Sequence, residues 1–368
     1  MTSDRLKVIL EVPVHWFRNS LDGERHRVFY SSLLGALSRF EARVDLRDAP
    51  FGTDDAPRVA PADSFLFSFH SHGETRRVLR LKESYIPPYY TIDRMGYGGF
   101  SELAKHPQRF EENIANFDLR KGKQTVEKWR QEFLQNNISK YSQPSTSEQR
   151  LPERFLFFPL QTIDDPVASL AHIDQMEALE VAARHCVKVD LPLVVKRHPL
   201  CRSPHIEKSL QQLVKKYPGL EATDASVHQV LDKAYAVMGA NSGVLFEALI
   251  HGKPVISFGT SDYRQLTSQV NHAAKIPAAI DTIKIADQDS VARFIGWYMN
   301  DYCVHAEDID AVFARIKSLL QQEGSAHDWH KSEETLVLDH YSKLDKIRRR
   351  EAVWGRSWVI RFLSRIIP

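Results

Sequence analysis

The sequence predicts an α/β protein of two domains, each built around a mainly parallel sheet. Strand-like apolar runs alternate with amphipathic helical segments, which is the order of parallel strands with crossover helices. Residues 136–153 form a polar stretch without apolar periodicity, and we interpret them as an interdomain linker. The chain has 368 residues, more than one typical core needs, which also favours two domains.

The apolar pattern predicts the individual elements. In the first half, the predicted strands are residues 8–12 and 64–69, and the predicted helix is residues 28–40. In the second half, the predicted strands are residues 154–158, 193–196, 234–238 and 255–258, and the predicted helices are residues 174–187, 206–217 and 244–251. Neither half contains GxGxxG or GxxxxGK[ST], so the dinucleotide and P-loop fingerprints are absent.

Composition and charge exclude several classes of protein. The net charge is +2, so no overall field points to a nucleic-acid partner. The three cysteines show no metal-binding spacing, and so sparse a set fits a reducing compartment. The sequence lacks a secretory signal pattern and any run of 18 apolar residues. We therefore expect a cytoplasmic protein whose membrane contact, if any, is peripheral.

Three polar segments follow predicted strands of the second half, at residues 161–166, 197–199 and 239–243. In open α/β sheets, ligands bind outside the carboxyl ends of the strands. Each segment alone is a weak signal, but we expect all three to converge on one crevice.

The third segment leads into a predicted helix. Asn241 and Ser242 are good N-cap residues, and Gly243 lets a ligand approach the backbone. Free N–H groups at such a helix start suit an anion. Glu247, one turn further on, is a candidate acceptor for ribose hydroxyls. The alternative is an ordinary capped helix, because N-caps are common.

The second segment holds His198 in an extended conformation, because proline restricts the residue before it. Lys196 and Arg197 add cationic donors beside the imidazole. This combination suits a phosphate or a carboxylate. A surface His-Pro turn is the competing interpretation.

The first segment carries the adjacent carboxylates Asp164 and Asp165. A carboxylate at this edge can act as a nucleophile toward an anomeric carbon. A metal site and plain helix capping are the alternatives. The spacing is DD rather than DxD, which counts against a metal site.

A stretch rich in Tyr, Pro and Gly, residues 82–103, is the most distinctive part of the first half and is predicted to be a loop. Glu83 or Asp93 is a candidate base for a substrate hydroxyl. An ordered surface loop is the alternative. His70 and His72 alternate like metal ligands but lack an obvious third partner, and we interpret them as polar residues at a strand end.

The sequence near the C-terminus predicts a cationic amphipathic helix. Residues 348–368 carry six arginines against Glu351, and Trp354, Trp358, Phe362 and Ile366 recur at intervals of four. This pattern is typical of a helix lying on an anionic membrane surface. Packing of the same face on the protein body is the alternative.

At these positions the sequence resembles the retaining β-Kdo transferases of bacterial capsule and O-antigen assembly, and the wider capsule-polysaccharide synthesis proteins. The matching pieces are FLFFPLQTIDD at residues 155–165, VKRHP at 195–199 and NSGVLFEALIHGKPV at 241–255. The first half matches loosely, in residues 83–99. The His-Pro and serine elements also resemble the HP and SS motifs of bacterial sialyltransferases, except that Asn241 stands where a Ser-Ser pair is common.

The resemblance implies a GT-B-like fold, in which two Rossmann-type domains face a central cleft. It implies an N-terminal acceptor-binding domain over residues 1–140 and a donor domain over residues 150–325. Residues 326–347 would cross back to the first domain, and residues 348–368 would form the membrane-surface tail. The protein would then be peripheral to the inner membrane.

The resemblance also implies a donor, CMP-β-Kdo, a glycan or glycolipid acceptor, and double displacement. Asp165 would be the nucleophile, and Glu83, or failing it Asp93, would activate the acceptor. The acceptor site would include Tyr97. The implied donor-binding residues are Gln161, Asp164, Lys196, Arg197, His198, Asn241, Ser242, Gly243 and Glu247. Because CMP is a phosphate monoester leaving group, we expect no essential metal and no cofactor.

Two alternatives of different class stay open at this point. One is a different transferase, using another CMP-sugar or a UDP-sugar. The other is a non-catalytic, membrane-attached scaffold of a polysaccharide assembly complex.

Overall fold

The computed structural model describes residues 6–18, 23–49, 58–144, 150–162 and 165–322. Asp164 lies outside these residues, as do the predicted crossing-back region 326–347 and the predicted membrane-surface tail 348–368. Within the described ranges, no helix is long and apolar enough to cross a membrane.

The described ranges hold twelve strands and twelve α-helices. Strands β1 to β12 are, in chain order, Lys7–Val12, Arg43–Asp48, Phe65–Phe69, Val78–Glu83, Tyr89–Asp93, Leu156–Pro159, Leu193–Lys196, Leu220–Ala222, Ala236–Gly239, Val255–Ser257, Ser268–Gln269 and Cys303–His305. Helices α1 to α12 are Val14–Arg18, Glu24–Arg39, Glu102–Lys105, Glu111–Asn116, Leu119–Asn136, Gln175–Lys188, Pro204–Lys216, Val227–Lys233, Gly243–Ile250, Ile276–Asp281, Gln288–Trp297 and Ile309–Gln322.

In the part of the chain that the structure describes, the strands form two six-stranded sheets. The first sheet has the order β12-β5-β4-β3-β1-β2, and the second has the order β11-β10-β9-β6-β7-β8. All strand pairs of the second sheet are parallel. In the first sheet, β5 runs antiparallel to β4, and β12 runs antiparallel to β5.

The buried apolar runs explain why the central strands form where they do. Phe157, Val194 and Val237 lie on neighbouring strands of the second sheet and are fully buried. The helices that follow begin at polar caps, because a side-chain oxygen satisfies the free N–H groups of the first turn. Asp174 Oδ1, for example, accepts hydrogen bonds from the backbone N–H groups of Met176 and Glu177 at the start of α6.

The predicted elements of the second half are confirmed to within two residues at each end. The prediction of a loop over residues 82–103 is wrong in part, since β4 ends inside this stretch and β5 lies within it. The Pro87-Pro88 pair suggested an unbroken loop, whereas the following Tyr-Tyr-Thr-Ile run has the β-branched and aromatic residues of a strand.

The two halves exchange elements, which moves the predicted domain boundaries. The chain returns to the first sheet at Cys303, where β12 pairs with β5, rather than after residue 325. Helix α12 then packs against α2. Conversely, α5 packs against α11, and its Trp129 and Phe133 enter the core beneath the second sheet. This packing is close, since a Cβ atom on Gly122 would overlap the carbonyl group of Ala292.

Candidate active site

One cleft between the two sheets collects most of the predicted site residues. Its second-sheet wall is formed by side chains that follow β6, β7 and β9, and we define it as Gln161, Asp165, Lys196, Arg197, His198, Asn241, Ser242, Gly243 and Glu247. Its first-sheet wall is Lys82, Glu83 and Tyr97. The chain between them, residues 137–143, is called the strap, and its Ser139, Lys140, Tyr141 and Gln143 also line the cleft.

Hydrogen bonds of the Asn241 side chain link the loops of the second-sheet wall. Its Oδ1 accepts a hydrogen bond from Gln161 Nε2 at 2.9 Å. Its Nδ2 donates to the carbonyl oxygens of Val167 and Thr260 at 3.0 and 2.9 Å. The side chain is almost fully buried. The amides of Asn241 and Gln161 therefore position the loops around the cleft, which both residues also line.

Helix α9 begins at the cleft. Ser242 Oγ accepts a hydrogen bond from the Val244 N–H at 3.2 Å, so Ser242 is the predicted N-cap. The Ser242 carbonyl oxygen accepts a bond from the buried Tyr263 hydroxyl at 2.7 Å, which fixes the cap from behind. Gly243 lies against Tyr85 of the opposite side, where an added Cβ atom would meet the ring at 3.4 Å. The helix start is thus held rigidly at the base of the second-sheet wall.

Glu247 is a buried carboxyl group of the second-sheet wall. Its Oε1 accepts a hydrogen bond from Ser139 Oγ of the strap at 2.8 Å. Its Oε2 is buried and has no hydrogen-bond partner among the described residues. Burial raises the pKa of Glu247 to about 8, which the bond from Ser139 opposes. A buried polar atom of this kind needs a partner, and the cleft is where one can bind.

His198 is oriented by its neighbours. Its Nδ1 accepts a hydrogen bond from the Leu200 N–H at 3.2 Å, so the neutral ring carries its proton on Nε2. The ring packs edge-on against Tyr141 of the strap, with 4.8 Å between centroids. Burial lowers the pKa of His198, an effect that Asp165 opposes and Lys140 strengthens. At neutral pH the side chain is therefore an uncharged N–H donor in the cleft wall.

Lys196 and Arg197, the two cations beside His198, have different partners. Lys196 Nζ donates to the Asp224 carbonyl oxygen at 3.3 Å. Burial lowers the pKa of Lys196, with the Asp224 carboxylate opposing this shift. Arg197 forms an ion pair with Glu207 of α7 at 3.1 Å. Lys196 is thus the less committed of the two cations for a ligand in the cleft.

Asp165 combines two of the predicted roles. Its Oδ1 accepts a hydrogen bond from the Val167 N–H at 3.0 Å and caps the short 3-10 helix Pro166–Leu170. Within the described residues this is the only hydrogen bond to the carboxylate, which leaves Oδ2 for chemistry. The charge of Asp165 also contributes to the pKa values of Lys82 and Tyr97 on the first-sheet wall. The negative charge of Asp165 therefore affects side chains on the opposite wall of the cleft.

Glu83 lies between two cations and a histidine, at moderate distance from each. Its Oε1 lies 3.9 Å from Arg25 Nη2 and 3.5 Å from His26 Nε2, and its Oε2 lies 3.9 Å from Lys140 Nζ. Burial favours the protonated form, but Lys140, His26, Lys82 and Arg25 together outweigh burial and lower the pKa of Glu83. Glu83 is therefore ionised at neutral pH and able to accept a proton.

The structure does not bring Asp93 to the cleft, so the prediction of an acceptor role for it is not supported by its position. Asp93 is 1% exposed. Its Oδ1 accepts hydrogen bonds from the N–H groups of Met95 and Gly96, and its Oδ2 accepts one from the Tyr302 hydroxyl at 2.6 Å. These bonds hold the turn after β5. Tyr97, in contrast, lines the cleft, and its buried hydroxyl has no partner among the described residues.

Lys82 and the strap were not predicted as parts of the site. Sequence analysis placed Lys82 at the edge of a loop and treated the strap as linker, because neither carries a motif. The signal that was available is the Lys140-Tyr141 pair, an aromatic and a cationic residue in a stretch otherwise made of small and polar residues. Hydrogen bonds to the rest of the protein hold the strap in place; in one of them, the Val227 N–H donates to Gln143 Oε1 at 3.0 Å.

The described ranges contain no group of three His, Cys, Asp or Glu side chains placed to hold a metal ion. His70 and His72 follow β3 and pack on aromatic rings, His70 near Tyr97 and His72 stacked on Phe100 at 3.9 Å.

The fold and the site together define a two-domain α/β protein of the GT-B class, with a cleft between its sheets lined by polar strand-end loops. A family model described as "Capsule polysaccharide biosynthesis protein" matches residues 73–279. This match spans more than half of the sequence, and the chain belongs to this family.

Several solved structures are similar to this chain at low sequence identity. A Thermosulfurimonas dismutans protein named KpsC, beta Kdo 2,4 transferase, has a TM-score of 0.47 and 14% identity, over 78% of this chain and 89% of that one. A second from the same organism, named KpsC, beta Kdo 2,7 transferase, has a TM-score of 0.45 and 17% identity, over 85% and 99%. A Methanocaldococcus jannaschii UDP-GlcNAc 2-epimerase has a TM-score of 0.32 and 10% identity, over 79% and 98%. Curated proteins gave no match.

Proposed function

We propose that the protein is a glycosyltransferase that transfers Kdo from CMP-β-Kdo to a glycan or glycolipid acceptor, with retention of configuration, in capsule or lipopolysaccharide O-antigen assembly. The observation that carries the proposal is the position of Asp165, whose carboxylate has one uncommitted oxygen and faces Lys82 and Glu83 across the cleft. Membership of the capsule polysaccharide family supports the biological role. The motif resemblance supports the choice of donor.

The second-sheet wall supplies the donor site in this proposal. The CMP phosphate binds at the start of α9, beside Ser242 and Gly243, where backbone N–H groups favour an anion. The His198 Nε2–H and the Lys196 ammonium donate to the same phosphate. Glu247 Oε2, which has no protein partner among the described residues, forms a hydrogen bond with a ribose hydroxyl. Asn241 and Gln161 hold these groups in position.

In the first chemical step, Asp165 Oδ2 attacks the anomeric carbon of the donor sugar. A carbon–oxygen ester bond forms as the bond between that carbon and the phosphate oxygen breaks, and CMP leaves with the electron pair. The transition state is oxocarbenium-like, so a carboxylate beside the carbon stabilises it. His198 and Lys196 stabilise the charge that develops on the leaving phosphate.

In the second step, the acceptor hydroxyl attacks the same carbon from the face that CMP left. The glycosidic bond forms, the ester bond to Asp165 breaks, and the hydroxyl proton passes to Glu83. Two inversions give net retention. Glu83 is ionised before this step, because the surrounding cations lower its pKa.

Intact-protein mass spectrometry after incubation with CMP-Kdo, CMP-sialic acid and a UDP-sugar tests the donor and the mechanism together. We expect a mass gain of one Kdo unit in the wild type and in Asp164→Asn, and none in Asp165→Asn. An adduct with another donor only would reassign the substrate. A chain that binds neither CMP nor UDP in a thermal-shift assay would indicate the non-catalytic scaffold.

We further propose that residues 348–368 attach the protein to the cytoplasmic face of the inner membrane. The support is the sequence pattern of arginines and spaced tryptophans. In the full chain, Trp354→Ser with Trp358→Ser should abolish cosedimentation with anionic vesicles and leave donor hydrolysis unchanged. Equal cosedimentation of variant and wild type would contradict the attachment.

A further inference from the structure

Lys82 is a cation in the cleft without an anionic partner. It is partly buried near the end of β4, and its Nζ lies 5.6 Å from the ring centroids of both Phe69 and Tyr97. Among the described residues, no carboxylate lies within ion-pair distance of the ammonium, and no acceptor forms a hydrogen bond with it. The ammonium therefore brings three N–H donors to the cleft without acceptors among the described residues.

The neighbouring carboxylates offset the burial of Lys82 only in part. Glu83 lies among Arg25, His26 and Lys140, and Asp165 caps the helix after it. Burial lowers the pKa of Lys82 to about 7 and Lys140 lowers it further, while Glu83 and Asp165 oppose this shift only in part. Holding a desolvated ammonium without a counter-ion is costly. Such a group suits an anion that the ligand brings.

The proposed chemistry requires a cation at this place. In Kdo and related sugar acids, the carboxylate is attached to the anomeric carbon itself. Attack by Asp165 therefore brings two carboxylates close to one carbon, and they repel each other unless a cation lies beside them. A neutral aldose donor carries no such carboxylate and creates no such demand.

We propose that Lys82 binds the carboxylate of the donor sugar and thereby selects sugar acids over neutral sugars. This inference rests on the proposed transferase function. The ammonium lies over the rings of Phe69 and Tyr97, and Lys82 lines the same cleft as Asp165, whose charge raises the pKa of the lysine. His198 and Lys196 then serve the phosphate alone.

The test compares the full-length wild type with Lys82→Met, which removes the charge, and Lys82→Arg, which keeps it. Donor hydrolysis gives KM and kcat for CMP-Kdo, and calorimetry gives Kd for CMP. We expect Lys82→Met to raise KM for CMP-Kdo by about tenfold to a hundredfold, the range for a hydrogen bond to a charged group. The Kd for CMP, which lacks the carboxylate, should stay unchanged and so report an intact fold. Lys82→Arg should restore most of the loss.

Donor affinity should also depend on pH in a way that a structural role would not produce. The wild type should bind CMP-Kdo less tightly as pH rises from about 6 to about 8, because the free lysine loses its proton across its pKa of about 7. Lys82→Arg and Lys82→Met should both lack this component. The charged and titratable groups that face Lys82 are Glu83, Asp165, Lys140, His26, His70 and Tyr97. All six remain in both variants, so their contribution cancels.

The outcomes separate the two proposals. A wild type that hydrolyses CMP-Kdo with the same KM and pH profile as Lys82→Met would overturn the role of Lys82 alone. A wild type that binds CMP but forms no adduct with any sugar acid would overturn the proposed function, and the inference with it.

Discussion

The two walls of the cleft hold their side chains in different ways. On the second-sheet wall, buried hydrogen bonds of 2.9 to 3.0 Å from Asn241 close a network across three loops. On the first-sheet wall, Glu83 lies 3.9 Å from Arg25 and from Lys140. Lys82 forms no ion pair within the described part of the chain. Hydrogen bonds within the protein hold the loops of the second-sheet wall, whereas the first-sheet wall leaves the charge of Lys82 for a ligand.

This difference matches what each wall contributes in the proposed reaction. A nucleotide is rigid and common to many donors, so a preformed wall binds it without the cost of reorganisation. Charges that the protein does not neutralise act on the sugar and the acceptor, where the charge changes during reaction. The comparison predicts that substitutions on the second-sheet wall reduce stability, whereas those on the first-sheet wall reduce ligand binding.

The largest effect on stability is expected for Asn241→Ala. The substitution leaves the partly buried carbonyl groups of Val167 and Thr260 and the amide of Gln161 without partners. It should lower the free energy of unfolding by about 1–3 kcal/mol, because partial burial reduces the cost of about 1–3 kcal/mol for each unsatisfied buried group. Chemical denaturation measures this change. The matched control is Lys82→Met on the first-sheet wall, which should not lower the free energy of unfolding, because it removes an ammonium group whose burial is costly to the fold.

An equal loss of stability in the two variants would remove the distinction between a preformed wall and a ligand-dependent one. A stable Asn241→Ala would instead indicate that water or loop movement satisfies the exposed groups.

The sequence predicted the second-sheet wall much better than the first. Its strands are buried apolar runs such as residues 193–196, and its functional residues follow those strands directly, so local pattern and parallel topology suffice. The sequence predicted that Asn241 lies at the cleft, but not that its side chain forms hydrogen bonds to the neighbouring loops. The sequence does not tell whether an amide at a strand end turns toward a ligand or toward Thr260, because that depends on a loop distant in the chain.

The first-sheet wall depends on contacts that no local pattern encodes. Lys82 became a site residue because Asp165 and Lys140 approach it from distant parts of the chain. Asp93 looked equally suitable in sequence, yet the turn after β5 uses its Oδ1, and the Tyr302 hydroxyl donates to its Oδ2. The early return of the chain at Cys303 was likewise hidden, because β12 is only three residues long.

The next largest effect concerns Glu247 and pH. Its folded-state pKa of about 8 lies above the ordinary value, so the folded protein keeps a proton that the unfolded chain releases. The stability of the wild type relative to Glu247→Gln should therefore fall as pH rises from about 5 to about 8 and level off above, by on the order of a few kcal/mol. Buried groups with lowered pKa values, such as His228 and His251, contribute equally to both proteins, so the difference isolates Glu247. Melting temperatures at pH 5, 6.5 and 8 measure it.

Glu102→Gln is the control for this pH effect. Burial favours the protonated acid, but hydrogen bonds from Arg94 and Arg109 dominate and lower the pKa of Glu102. Glu102 thus contributes stability that is present above its unfolded pKa and lost only at lower pH. Its removal should leave the slope between pH 5 and 8 as in the wild type. If Glu247→Gln also keeps that slope, Glu247 is ionised in the folded protein, and its Oε2 has a partner.

The smallest effect is expected in the strap, and it decides to which wall the strap belongs. Gln143 Oε1 accepts the Val227 N–H at the start of α8, so Gln143→Leu leaves one backbone donor without its partner. We expect a loss of about 1 kcal/mol in the free energy of unfolding. Gln143→Glu keeps the hydrogen-bond acceptor and should retain the stability.

If Gln143→Leu leaves stability unchanged but raises KM for the acceptor substrate, the strap adapts to ligands as the first-sheet wall does. If stability falls and KM does not change, the strap extends the preformed wall, and Tyr141 is part of the scaffold that orients His198.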